Sequence, residues 1–107
     1  MSTIYDADYF IEKFSGIPDE LWFEGEFASP ANPECKSALG HCGASWNGRK
    51  EKHTKESGAL LSLFGDTMVS IYFVNNGESQ AFIHPTPKGR VLAALAWIKT
   101  DPFKHKS

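Results

Sequence analysis

The stretch Asn32-Pro33-Glu34-Cys35-Lys36-Ser37-Ala38-Leu39-Gly40-His41-Cys42-Gly43 lies near the middle of the 107-residue chain. It opens with three residues that favour a helix start, since asparagine caps well, proline suits the first helical position and an acid suits the second. From Cys35 onward, small and apolar residues recur at i, i+3, i+4 and i+7, the spacing of one helical face. Gly43 then suits a helix end. The sequence therefore predicts a helix from Asn32 to Gly43 that turns both cysteines towards the core.

Helix signals lie on both sides of this segment. Aspartate, threonine and proline mark further starts, while glycine or an Asp-Pro pair marks the ends. With the central segment included, about four short helices are expected. The other predicted helices begin at Asp6 or Asp8, at Thr54 and at Thr86-Pro87, and they end near Gly16, Gly65 and Asp101.

Strand signals follow the third predicted helix. The run Thr67 to Val74 is rich in β-branched and aromatic residues, which favours a strand, and Asn75-Asn76-Gly77 then favours a turn. Ser79 to Ile83 can pair back as a second short strand. Another turn signal, Asn47-Gly48, lies in a polar stretch. The predicted fold class is α+β, with the helices packed on a small antiparallel sheet or hairpin.

Composition limits the size and setting of this fold. With 41% hydrophobic and 13% aromatic residues, 107 residues suffice for one core. We expect a single domain over residues 1–107, with frayed ends at about 1–5 and 103–107. The net charge of −2 makes nucleic acid an unfavoured partner. Without a signal-peptide pattern or an apolar run near the ~20 residues that span a bilayer, we expect a cytoplasmic protein without a membrane partner.

Cysteine and histidine suggest two kinds of reactive site. Cys42 with His41 or His53 as base would suit a thiol nucleophile, because a nearby imidazole can lower a thiol pKa. On a helix, however, neighbouring side chains point ~100° apart, so a buried structural Cys42 is favoured. Cys35, His41, Cys42 and His53 have the number and softness of zinc ligands. Two helical turns would separate the two sulfurs by roughly 10 Å, so we predict neither a metal site nor a cofactor.

The best ligand-binding candidates lie late in the chain. A helix that starts at Thr86 would offer free amide groups and a positive dipole end, with Lys88 and Arg90 adding cations, so this segment could hold a phosphate or carboxylate. Asn75 and Asn76 could bind a base or amide on the same rim, although asparagine in a turn often serves its own backbone. Trp46, in a polar loop, could stack on a planar ligand or press against a protein partner.

Three stretches of the chain look like parts of one family. They are Asp8-Tyr9-Phe10-Ile11 with Ile17-Pro18 and Trp22, Ala38-Leu39-Gly40-His41-Cys42-Gly43, and Thr86-Pro87-Lys88-Gly89-Arg90-Val91-Leu92-Ala93-Ala94-Leu95. Over nearly its whole length the chain resembles a family of small uncharacterised proteins of phages and of bacteria of the Bacteroidetes group. That family commonly has a cysteine where Ser37 stands here. The resemblance implies a compact α+β fold and a phage-associated setting in a host cytoplasm, and it implies no catalytic residues.

Three functions remain open from the sequence. We favour a non-enzymatic accessory protein that sequesters a small anionic, nucleotide-like ligand or a host defence protein. The second is a thiol-dependent hydrolase or transferase that uses Cys42. The third is a module that forms homo-oligomers through exposed aromatics such as Trp46 and Phe103.

Overall fold

A computed structural model of the chain describes residues 4–64, 71–78 and 82–100. Within these ranges the chain has the small α+β fold expected from its sequence, with five α-helices and a two-stranded antiparallel sheet. A short 3-10 helix spans Asp19–Leu21. The strands are β1 (Ser45–Asn47) and β2 (Lys50–Lys52), and the helices are α1 (Ala7–Ser15), α2 (Ala38–His41), α3 (Lys55–Phe64), α4 (Ile71–Asn75) and α5 (Pro87–Thr100).

The three longer helices begin at the residues that the sequence indicated. The Asp6 carboxylate accepts a bond from the Tyr9 amide at 2.9 Å at the start of α1. Thr54 and Ser57 form a reciprocal cap at the start of α3. The Thr54 hydroxyl accepts a bond from the Ser57 amide at 3.0 Å, and the Ser57 hydroxyl accepts one from the Thr54 amide at 2.8 Å. The Thr86 hydroxyl accepts a bond from the Gly89 amide at 3.1 Å, which confirms the start of α5. Local caps therefore fix where these helices begin.

The central helix is much shorter than the sequence predicted. The Asn32 carbonyl accepts a bond from the Cys35 amide at 2.9 Å and so closes a turn. Lys36 then runs beside the segment around Trp22, with its amide bonded to the Leu21 carbonyl at 3.0 Å. These long-range bonds hold the chain extended, so the prediction that the helix begins at Asn32 was wrong. Helix α2 begins only after Ser37, whose hydroxyl accepts a bond from the Gly40 amide at 3.2 Å.

Two glycines allow α2 to pack closely against the rest of the chain. A Cβ at Gly40 would lie 1.9 Å from the Phe27 carbonyl oxygen, so only glycine fits this approach. Gly43 has φ +98°, which favours glycine, and a Cβ there would lie 2.7 Å from Thr54 Cγ2. Helix α2 therefore lies against the backbone of Phe27 on one side and the start of α3 on the other.

The sheet lies elsewhere in the chain than the sequence predicted. Residues 71–75, expected to continue a strand, form α4, with Ile71 and Val74 buried one turn apart. A short apolar run fits a strand and a buried helix equally well, which explains the error. Of the second predicted strand, Phe82 and Ile83 are not in a strand. The observed hairpin instead turns at Gly48 and Arg49, one residue beyond the start of the Asn47-Gly48 turn signal, and Gly48 has φ +66°.

Some predicted features lie outside the described residues. They are the remainder of the two predicted strands, the ends expected at Gly65 and Asp101, residues 1–3 of the N-terminal frayed segment, and the C-terminal frayed segment at 103–107, which includes Phe103. At the other end, Tyr5 packs edge-on against Tyr9, with ring centroids 5.1 Å apart.

The buried apolar side chains of the described residues form one cluster. Helix α5 packs against both α1 and α4, and α3 closes the cluster through Leu60 and Phe64. No helix of the described ranges is long and apolar enough to cross a membrane. The fully buried side chains include Phe10, Phe14, Leu60, Phe64, Ile71, Val74, Val91, Leu95 and Ile98.

Candidate functional site

A pocket of about 120 Å³ lies between the hairpin, α4 and residues 25–27. We call it the Trp46 pocket. Its apolar walls come from Phe27, Leu39, Trp46, Ile71 and Tyr72.

One wall of the Trp46 pocket is a pair of aromatic rings in tilted contact. The ring centroids of Phe27 and Trp46 are 5.2 Å apart, with 34° between the planes. Phe27 is buried against α2, whereas 52% of Trp46 is exposed. Because Trp46 pairs with Glu51 across the hairpin, both side chains lie on the same face of the sheet. An indole ring and a carboxylate therefore stand side by side at the pocket.

The Glu51 carboxylate is held in place by its neighbours. Its Oε1 accepts bonds from the Tyr72 hydroxyl at 2.7 Å and from His53 Nε2 at 2.9 Å. These two bonds, that of Tyr72 first, lower the pKa of Glu51, so the group is a carboxylate at neutral pH. Burial and the bond to Glu51 raise the pKa of Tyr72, so its hydroxyl remains a donor.

The asparagine pair forms the rigid side of the pocket. Helix α4 ends in a Schellman motif, because the Glu78 amide bonds the Phe73 carbonyl at 2.9 Å and Gly77 has φ +76°. Asn75 Oδ1 accepts a bond from the Ala38 amide at 3.0 Å, which joins α4 to α2. Asn76 Oδ1 accepts a bond from the Gly25 amide at 2.8 Å, while its Nδ2 donates to none of the described residues. The asparagines thus fix the wall of the pocket.

Arg90 does not face this pocket with free donors. Only 5% of it is exposed, and its Nε and Nη2 donate to the last carbonyls of α4, those of Val74 and Asn75, at 3.0 and 2.9 Å. Its Nη1 donates to the His84 carbonyl at 2.9 Å, and Nη2 also pairs with the Glu24 carboxylate. The guanidinium therefore closes the end of α4.

The predicted anion site at the start of α5 is engaged within the protein. Thr86 caps the helix, Lys88 Nζ donates to the Ser15 carbonyl at 3.2 Å, and Arg90 binds α4. Of the sequence-predicted ligand residues, Trp46, Asn75 and Asn76 come together at the pocket, whereas these three do not.

The predicted thiol site is closed. Cys42 is 2% exposed, and burial raises the pKa of its thiol to about 12. The adjacent His41 packs on Trp22 with ring centroids 5.2 Å apart, and its Nε2 donates to the Leu21 carbonyl at 2.7 Å. Burial lowers the pKa of His41, so it is neutral at pH 7. Cys35, expected on the same helix face, lies outside α2 and donates its thiol to the Glu20 carbonyl at 3.1 Å.

A hydrogen-bonded chain that sequence reasoning missed joins Ser57, His53 and Glu51. Ser57 Oγ lies 3.1 Å from His53 Nδ1, and His53 Nε2 lies 2.9 Å from Glu51 Oε1. The residue types match a serine nucleophile with its base and acid. However, Ser57 is 0% exposed and its oxygen also completes the cap of α3, so no substrate reaches it. The chain instead helps to orient Glu51, whose Oε1 is bonded by both His53 and Tyr72.

Sequence reasoning also missed Phe27, Glu51 and Tyr72 as pocket residues. The hairpin signal did not identify Glu51, because an Asn47-Gly48 loop would place Trp46 opposite Arg49, whereas the observed loop, Gly48-Arg49, places Trp46 opposite Glu51. Phe27 and Tyr72 reach the pocket only through tertiary packing, which no local pattern shows.

The described parts of the chain contain no cluster of three or more histidine, cysteine or acidic side chains able to hold a metal ion. Comparison of the chain with protein-family models, curated proteins and solved structures finds no match. The arrangement of the Trp46 pocket therefore has to be interpreted from its own chemistry.

Proposed function

We propose that the chain is a non-enzymatic accessory protein that binds a partner protein by holding one of its side chains in the Trp46 pocket. The observation that carries this proposal is the pocket itself, which is open, small and walled by aromatic rings. The thiol alternative has less support, because Cys42 is buried and its thiol is neutral at pH 7.

The size of the pocket favours a side chain over a nucleotide. A cavity of about 150 Å³ holds one benzene ring, whereas sites for drug-sized molecules measure about 300–1,000 Å³. At about 120 Å³, the Trp46 pocket matches one ring-sized group. A nucleotide, with a base, a sugar and phosphate, would leave most of its surface outside.

The charge of the pocket argues in the same direction. Glu26 and Glu51 line it, and its described lining contains no lysine, arginine or histidine. Like charges close together repel, so a phosphate would meet two carboxylates and no compensating cation. The function favoured from the sequence left two kinds of partner open, a small anionic ligand and a protein. The charge of the pocket favours the protein.

The identity of the partner as a host defence protein is part of the proposal and rests on the resemblance to phage-associated proteins alone. The genes beside this one test that setting. Neighbouring phage or anti-defence genes would support it, and a conserved bacterial housekeeping operon would contradict it.

A nuclear magnetic resonance titration tests the use of the pocket. The indole N–H signal of Trp46 is the reporter, and the probes are p-cresol, methylguanidinium and AMP. We expect at least one of the two side-chain-sized probes to shift this signal saturably, and AMP to leave it in place. Trp46→Ala should lose the shifts of pocket residues, whereas the control Trp97→Ala, which removes another half-exposed tryptophan, should keep them. Saturable AMP binding at lower concentration than either probe would overturn the proposal.

A further inference from the structure

The Trp46 pocket combines an aromatic face with negative charge. Trp46 contributes the face, and the two acidic residues Glu26 and Glu51 are among the residues that line the pocket. Phe27 supports one side of the indole at 5.2 Å, so the ring is held for stacking before any ligand arrives. A preordered ring loses little entropy on binding, which favours a flat occupant.

The two carboxylates have unused hydrogen-bonding capacity. Tyr72 and His53 both donate to Oε1 of Glu51, and no bond of the described residues reaches its Oε2. Glu26 is exposed and forms no ion pair or hydrogen bond with the described residues. An occupant with several N–H groups would therefore find acceptors at the rim.

The basic residues of the hairpin do not neutralise this charge. Side chains alternate between the two faces of a strand. Lys50 and Lys52 flank Glu51 on β2 and therefore lie on the face opposite Glu51 and Trp46. Neither lysine forms an ion pair with a described residue.

We infer that the occupant of the Trp46 pocket is the guanidinium group of a partner's arginine, stacked on Trp46 and hydrogen-bonded to Glu51 and Glu26. A guanidinium is flat, carries five N–H donors and stacks on aromatic faces while it pairs with carboxylates. Lysine carries the same charge, but its ammonium group is compact and cannot stack as a plane. The inference rests on the proposed function and adds the chemical class of the side chain.

Three capped amino acids of nearly equal length test it. N-acetyl-arginine methylamide carries the guanidinium, the citrulline analogue replaces it by neutral urea, and the lysine analogue keeps only the charge. We expect saturable binding of the arginine compound in the millimolar range, as befits one side chain. The citrulline and lysine compounds should each bind at least about tenfold more weakly, because each lacks one part of the interaction.

Variants locate the effect at the two carboxylates. The double variant Glu26→Gln with Glu51→Gln should bind arginine and citrulline compounds equally weakly. Glu12→Gln is the matched control, since Glu12 is an exposed carboxylate on α1 outside the pocket lining, and it should bind as the unmodified chain does. Circular dichroism melting curves establish that each variant is folded.

The outcomes separate this inference from the proposed function. If the citrulline or lysine compound binds as tightly as the arginine compound and Trp46→Ala abolishes both, the pocket holds side chains but the guanidinium assignment is wrong. If p-cresol alone shifts the Trp46 signal, the assignment is again wrong and the proposed function stands. If no probe shifts that signal at 50 mM, a concentration well above the roughly millimolar range expected here, both fall.

Discussion

The start of α5 and the Trp46 pocket lie on two sides of Asn75, and the charged residues of these two regions have different roles. At the start of α5, Arg90 and Lys88 donate to carbonyls of α4 and of residue 15. In the pocket, Glu26 and one oxygen of Glu51 have no partner among the described residues. The first region looked like a ligand site in the sequence and stabilises the fold. The second has carboxylate oxygens that bond none of the described residues, which is what a cationic ligand requires.

Removal of Arg90 should have the largest effect on stability. Arg90→Ala leaves the carbonyls of Val74, Asn75 and His84 without their donor, and it leaves Glu24 unpaired. Because bonds from a charged donor to buried acceptors are costly to lose, we expect a drop of about 4 kcal/mol in the free energy of unfolding. Urea denaturation measures it. If Arg90→Ala lowers the free energy of unfolding only slightly and abolishes binding of inorganic phosphate, the start of α5 is an anion site and Arg90 does not mainly stabilise the fold.

The next effect comes from the back wall of the pocket. In Gly40→Ala the new methyl group would overlap the Phe27 carbonyl, so α2 and the Phe27 segment must separate. Overpacking of this kind should lower the free energy of unfolding by about 3 kcal/mol. Gly58→Ala is the control, because Gly58 lies in α3 with open space around it and alanine favours a helix. If Gly40→Ala is as stable as Gly58→Ala, close packing does not hold Phe27 at the pocket.

How much of this arrangement the sequence could predict depends on the range of the interactions. The caps at Asp6, Thr54 and Thr86 were predictable, since each involves residues three positions apart. The extended segment around Lys36 was not, because its bonds reach Leu21 and override a strong local helix signal.

The residues of the candidate site also differ in whether the sequence could predict their roles. Trp46 and Asn76 drew attention by residue type in a polar loop and turn, and both line the pocket. The role of Arg90 could not be predicted, since its partners lie 6, 15, 16 and 66 positions away along the chain. A cation near a helix start has the same local sequence whether its donors are free or engaged.

The two cysteines offer a third test, through pH. Below its unfolded-state pKa of about 9 the Cys42 thiol is neutral in both states, so it adds no pH dependence. At higher pH the unfolded chain loses this proton while the folded chain keeps it, so stability falls up to the folded pKa of about 12. We expect Cys42 to account for about 1.5 kcal/mol of the stability lost between pH 8 and 10, so the loss in Cys42→Ala should be smaller by about this amount, whereas Cys35→Ala should lose as much as the unmodified chain. Equal slopes in all three proteins would contradict the burial of Cys42.

The smallest effect on stability should accompany the largest effect on binding. Trp46 is half exposed and lies on a three-residue strand, so Trp46→Ala should lower the free energy of unfolding by about 1 kcal/mol or less. The same change removes the stacking surface and should weaken binding of N-acetyl-arginine methylamide at least about tenfold. Lys88→Ala should leave both quantities nearly unchanged, because one exposed hydrogen bond to Ser15 contributes little. Should Trp46→Ala destabilise the chain as much as Arg90→Ala does, the indole would belong to the folded core, and the contrast between the two regions would disappear.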